Sequence, residues 1–109
     1  MIDLIQLKQL IVNNKAVLVY FSGQNCSVCE VLKPKIQNSF KEEFPKIKQI
    51  YIDASASKEI TSNYGIFSVP TLLIFFEGKE FYRMGKNISV HQFINDVRRP
   101  YEMLLKGEL

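Results

Sequence analysis

Cys26-Ser27-Val28-Cys29 holds both cysteines of the 109-residue chain. Two thiols at this spacing can exchange with disulfides, supply part of a metal site, or do nothing. A bridge closing so small a loop adds little chain-entropy stabilisation. With no third cysteine, a structural disulfide framework is excluded. A structural zinc site uses four ligands, and neither a second C-x-x-C nor a nearby histidine is present. The single histidine, His91, falls on a distant predicted helix, where a surface role suffices. A metal or cluster would therefore have to be shared across a dimer by two C-x-x-C pairs.

The elements around the pair favour reactivity. Ala16 to Phe21 is an unbroken apolar, β-branched and aromatic run, the pattern of a strand covered on both faces. Ser22-Gly23-Gln24-Asn25 is turn chemistry and ends it. From Cys26 to about Phe44 the apolar residues Val28, Val31, Leu32, Ile36 and Phe40 recur at helical spacing. Pro34 inside this run should kink the helix, and Pro45 should end it. Cys26 thus stands where a loop becomes a helix. The unpaired amides and positive dipole end there favour a thiolate over a thiol, and only the thiolate attacks disulfides. Cys29 folds back into the first turn and sits deeper.

The remaining elements follow from periodicity and punctuation. Asp3 can cap a helix running to about Asn14, with Leu4, Leu7, Leu10 and Ile11 on one stripe. Ile47 to Asp53 is a second strand, Ser57 to Tyr64 a short helix closed by Gly65 in a left-handed cap, and Pro70 to Phe76 a third strand. Glu77-Gly78 turns into a fourth strand, Lys79 to Met84. Ser89-Val90-His91-Gln92 is a capping box opening a last helix, in which serine and glutamine side chains satisfy each other's amides. Pro100 should end or kink that helix; whether Tyr101, Met103, Leu104 and Leu105 add a packed turn is open. The order αβαβαββα makes the first two strands parallel through a right-handed crossover and the last two a hairpin. The expected fold class is α/β, a four-stranded mixed sheet with helices on both faces.

Length permits one domain, residues 1–109, with no repeat or linker. The 47% apolar content is that of a globular chain, and a net charge of +3 is too small to argue for nucleic acid. Lys33, Lys35, Lys41, Lys46 and Lys48 are interleaved with acids and form a solvated face. Asp3, Gln6 and Lys8 interrupt the N-terminal apolar residues, so neither an export signal nor a membrane span is expected. A reducing, cytoplasmic compartment makes chemistry the better prior for such a cysteine pair.

At this point the chain resembles the thioredoxin family. The resemblance is carried by Val17-Leu18-Val19-Tyr20-Phe21, by Cys26 to Cys29, by Pro34, and by the stretch from Tyr64 to Phe75 with Pro70-Thr71 inside it. Gly78 and Gly85 fall where the family has its hairpin and following glycines, and the likeness covers nearly the whole chain. It implies a thioredoxin-like fold and a redox-active dithiol. It also implies a cis peptide bond before Pro70, facing the cysteines, and a substrate groove formed by Asn25, Ser68, Val69, Pro70 and Gly85. The Val69 backbone should pair with an extended substrate segment.

Several positions depart from the family pattern. Asn25 stands where tryptophan is usual, Ser27-Val28 replaces Gly-Pro, and the chain has no tryptophan. The family's buried aspartate falls at Tyr20 and its lysine partner at Gln49, neither ionised near neutral pH. Tyr20 is expected to be a core aromatic, leaving water or Glu30 to take the Cys29 proton. Glu30, where lysine is common, adds negative potential near Cys26 while favouring the helix start. The strand that the family places before its first helix is missing.

The implied activity is thiol–disulfide oxidoreduction on protein disulfides. Cys26 attacks, Cys29 resolves, and a reductase or second dithiol acts as electron donor. No bound cofactor, metal, nucleic acid or membrane is called for, and a monomer is expected. Two other classes remain: a non-catalytic peptide- or protein-binding module in which the cysteines seldom cycle, and the dimer-shared metal or cluster site.

Overall fold

The computed structural model describes residues 1–85, 87 and 89–109. Helix α1 (Leu4–Asn13) starts at Asp3, whose carboxylate accepts from the Gln6 amide while the Gln6 side chain accepts from the Asp3 amide. Strand β1 (Ala16–Ser22) follows, then α2 (Ser27–Glu43), β2 (Lys48–Asp53) and a single 3-10 turn over Ala54–Ala56. Helix α3 (Lys58–Tyr64) is closed by Gly65 at φ 65°, a left-handed position that glycine enters without steric cost. Strands β3 (Thr71–Phe76) and β4 (Lys79–Met84) form a hairpin whose turn residues, Glu77 and Gly78, have φ of 52° and 80°. Helix α4 spans Val90–Leu105.

The sheet order is β2-β1-β3-β4, with β1 parallel to β2 and antiparallel to β3. Alternation along β1 then assigns the two layers. Leu18 and Tyr20 point to the side of α2 and α4 and pack with Ile36, Phe40, Phe93 and Val97. Val17, Val19 and Phe21 point to the side of α1 and α3 and pack with Leu7, Ile11 and Ile60. Because both faces of β1 and β3 are covered, every residue of Thr71–Phe76 is buried and no polar alternation is needed.

Of the outcomes open at Pro100, the helix does not end there; it continues to Leu105, and Tyr101 and Leu104 find buried places in the α2/α4 layer. One expectation needs correction. The capping box at Ser89 is half formed. The Ser89 hydroxyl accepts from the Gln92 amide, but the Gln92 side chain donates to Asp96 one turn on. Pro34 lies inside an uninterrupted α2; it leaves the Glu30 carbonyl without its helical donor.

Candidate active site

Three chain segments meet at one end of the sheet. The antiparallel register sets Phe21 opposite Thr71, so the loop leaving β1 and the segment entering β3 emerge side by side. The approach is close: a Cβ on Gly23 would lie 3.1 Å from Cγ2 of Val69. The Gln24 amide donates to the Ser55 hydroxyl at 3.3 Å, which ties this loop to the 3-10 turn. Asn25 then takes φ 55°, a left-handed conformation that asparagine tolerates better than most residues, and the chain turns into α2.

Cys26 is the N-cap of α2. It is disulfide-bonded to Cys29, with Cα atoms 5.3 Å apart, and its Sγ accepts from the Cys29 amide at 3.2 Å. One of the unpaired amides of the helix start therefore points at this sulfur. Cys26 is partly exposed, whereas Cys29 is 3% exposed. Cys26 is thus the outer residue of the pair and Cys29 the inner one.

The loop 65–70 runs beside Gly23. Pro70 is buried, and the Val69–Pro70 peptide bond is cis. The Ser68 carbonyl accepts from the Thr71 hydroxyl at 2.7 Å. Among the described residues the backbone N–H and C=O of Val69 have no hydrogen-bond partner. Pockets of about 290 and 340 Å³ flank this loop, and Phe67 and Ser68 border both. Gly85, with Arg83 and Met84, lines the larger. Ser68 borders both pockets, Val69 lines the smaller and Gly85 the larger, and Asn25 lies on the exposed loop before Cys26.

Beneath the cysteines, Tyr20 is fully buried, and its hydroxyl donates to the Cys29 carbonyl at 2.9 Å. Its ring lies 5.4 Å from that of Tyr51, its register partner on β2, and burial pushes both phenols up to about 12. Tyr51 donates to Gln49, and the Lys33 ammonium sits 4.9 Å over the Tyr51 ring. A neutral phenol pair thus occupies the space under the first turns of α2. Among the described residues no group of three or more His, Cys, Asp or Glu side chains could hold a metal ion. His91 is exposed on α4, beside Asn95.

The sequence model of the thioredoxin family matches residues 5–99. The chain belongs to the thioredoxin family. A thioredoxin-like protein of Bacillus subtilis, YdfQ, is 30% identical over 106 residues, covering 97% of this chain and 93% of that protein. A Rickettsia bellii thioredoxin is 33% identical over 85 residues, 78% of each chain. Thioredoxin 1 of Thermosipho africanus superposes with a TM-score of 0.73 at 31% identity, covering 80% of this chain and 96% of that one. Thioredoxin-family membership and the bonded Cys26–Cys29 pair together support a thiol–disulfide oxidoreductase.

Two features escaped the sequence. Arg83 of β4 donates to the carbonyls of Tyr64 and Gly65 and pairs with Glu80. No spacing rule connects an arginine to a helix end so far back in the chain. Phe67 is 95% exposed at the rim of the groove; it is an aromatic in a loop between two recognisable elements, and its position in the stretch before Pro70 was the available cue.

Proposed function

We propose that this protein reduces or exchanges disulfides in protein substrates, with Cys26 as nucleophile and Cys29 as resolving thiol. The Cys26 thiolate attacks one sulfur of a substrate disulfide; a Cys26–substrate bond forms and the other substrate sulfur leaves as a thiolate. Cys29, having lost its proton to water or Glu30, attacks Cys26 Sγ and expels the second substrate thiolate. Two electrons pass to the substrate, and the protein is left with the Cys26–Cys29 bridge. A reductase or a second dithiol restores the pair. The observation that carries this reading is the asymmetry of the two cysteines, one partly exposed at a helix N-cap and one buried behind it.

The unpaired Val69 backbone supports docking of an extended segment along Ser68, Val69 and Gly85, with the side of Asn25 next to the reacting sulfur. The site is complete within one chain, so a monomer suffices. A cytoplasmic setting suits a pair that must be reduced again after every cycle.

The test is dithiothreitol-driven insulin reduction. Wild-type protein should accelerate it, Cys26→Ser should not, and Cys29→Ser should accumulate mixed disulfides. Wild-type activity no greater than that of Cys26→Ser refutes the enzyme reading.

A further inference from the structure

We infer that Tyr20 is a positioning residue for the resolving half of the exchange, its hydroxyl fastening the Cys29 carbonyl so that Cys29 stays next to Cys26 after their bond has opened. The inference rests on the dithiol reading above. In the oxidised protein the covalent bridge itself locates Cys29. Once Cys26 is bonded to a substrate, that constraint is gone, and the place of Cys29 depends on the first turns of α2.

Those turns are weakly held from within. The opening amides of a helix have no partners in it. Pro34 removes the N–H that would bond the Glu30 carbonyl, and the residue before Cys26 is in the left-handed region. Tyr20 supplies a tie from outside. It stands on β1, bordered by β2 and β3, is fully buried, and packs its ring on that of Tyr51. Its hydroxyl reaches the carbonyl of Cys29 itself, the neighbour of the carbonyl that Pro34 leaves open. A hydroxyl on the sheet is a better anchor than any group on α2, because its own backbone is held on both sides.

The residue type matters. An ionised carboxylate at position 20 accepts protons but cannot donate to a carbonyl. The phenol, kept protonated by burial, donates throughout the working range of pH. This chain thus has a permanent donor under Cys29 where a proton acceptor could have stood. The proton of the Cys29 thiol does not pass to Tyr20.

Stopped-flow reaction of the reduced protein with an equimolar amount of the chromogenic disulfide Ellman's reagent separates the two halves. The first aryl thiolate is released when Cys26 attacks, the second when Cys29 displaces the mixed disulfide. Tyr20→Phe keeps the ring and removes only the donor. It should leave the first phase unchanged and slow the second by about three- to tenfold, the loss of one buried hydrogen bond. Tyr51→Phe, which removes the neighbouring hydroxyl, should alter neither phase. A second phase at the wild-type rate in Tyr20→Phe overturns the inference, as does equal slowing of both phases, which marks a general structural role. Absence of the second release in wild type refutes instead the dithiol reading.

Discussion

The guanidinium of Arg83, on β4, donates at 2.8 Å to the carbonyl of Tyr64, the last residue of α3. A second nitrogen donates at 3.1 Å to Gly65, while Glu80 holds the same guanidinium through two further bonds. A cation at a helix C-terminus satisfies carbonyls that have no helical partner and complements the dipole. Here it also anchors the start of the loop 65–70, whose other end enters β3.

Arg83→Met should therefore loosen the groove more than the fold. The side chain is exposed, so the stability loss is expected at about 1 kcal/mol. KM for a protein disulfide should rise several-fold while reaction with Ellman's reagent stays unchanged. Thermal melts and steady-state kinetics check both; an unaltered KM contradicts the anchoring role.

Stability should fall at both ends of the pH scale. Glu80 is held below the usual carboxylate range by its hydrogen bond to Arg83, and Asp96 by hydrogen bonds from Tyr82 and Gln92. Groups with depressed values contribute stability above their unfolded values and lose it as pH falls through the folded ones. The acid loss should thus begin below about pH 4.5, and Arg83→Met should flatten it. Tyr20 and Tyr51 are raised by burial to about 12. Their contribution is complete below the ordinary tyrosine value of about 10 and is lost as pH rises toward the folded values. Chemical denaturation across pH reads both arms, and Tyr20→Phe should weaken the alkaline one.

Phe67→Ser tests the rim of the groove. At 95% exposure the ring adds little to folding, so stability should change by less than about 0.5 kcal/mol. It borders both pockets with Ser68, and one of them with Val69. Insulin reduction should slow several-fold with reactivity toward Ellman's reagent intact; equal insulin rates would remove Phe67 from the substrate surface.

Tyr101→Ala tests the helical extension past Pro100. Tyr101 is 5% exposed, packs 4.9 Å from the Phe44 ring centroid, and its hydroxyl accepts from the Lys46 amide at 3.2 Å. Emptying that place should cost about 3 to 5 kcal/mol, seen as a large drop in Tm. A drop of a few degrees would mean that the last turns of α4 are dispensable.

What the sequence determined is local and periodic. The positions of β1, α2 and β3, the Gly65 cap and the place of Cys26 at a helix start all follow from which residues can share a face or satisfy a chain end. Those constraints operate within one or two turns. Tertiary structure decided what depends on distant partners. Spacing alone does not assign the Tyr20 hydroxyl to the Cys29 carbonyl, Arg83 to the end of α3, or the Gln92 side chain to Asp96. Nor does it carry α4 through Pro100, because that proline is tolerated only where Tyr101 and Leu104 have a core to enter. A hydrogen bond or a buried ring is worth what its surroundings make it, and those surroundings form only when remote segments pack.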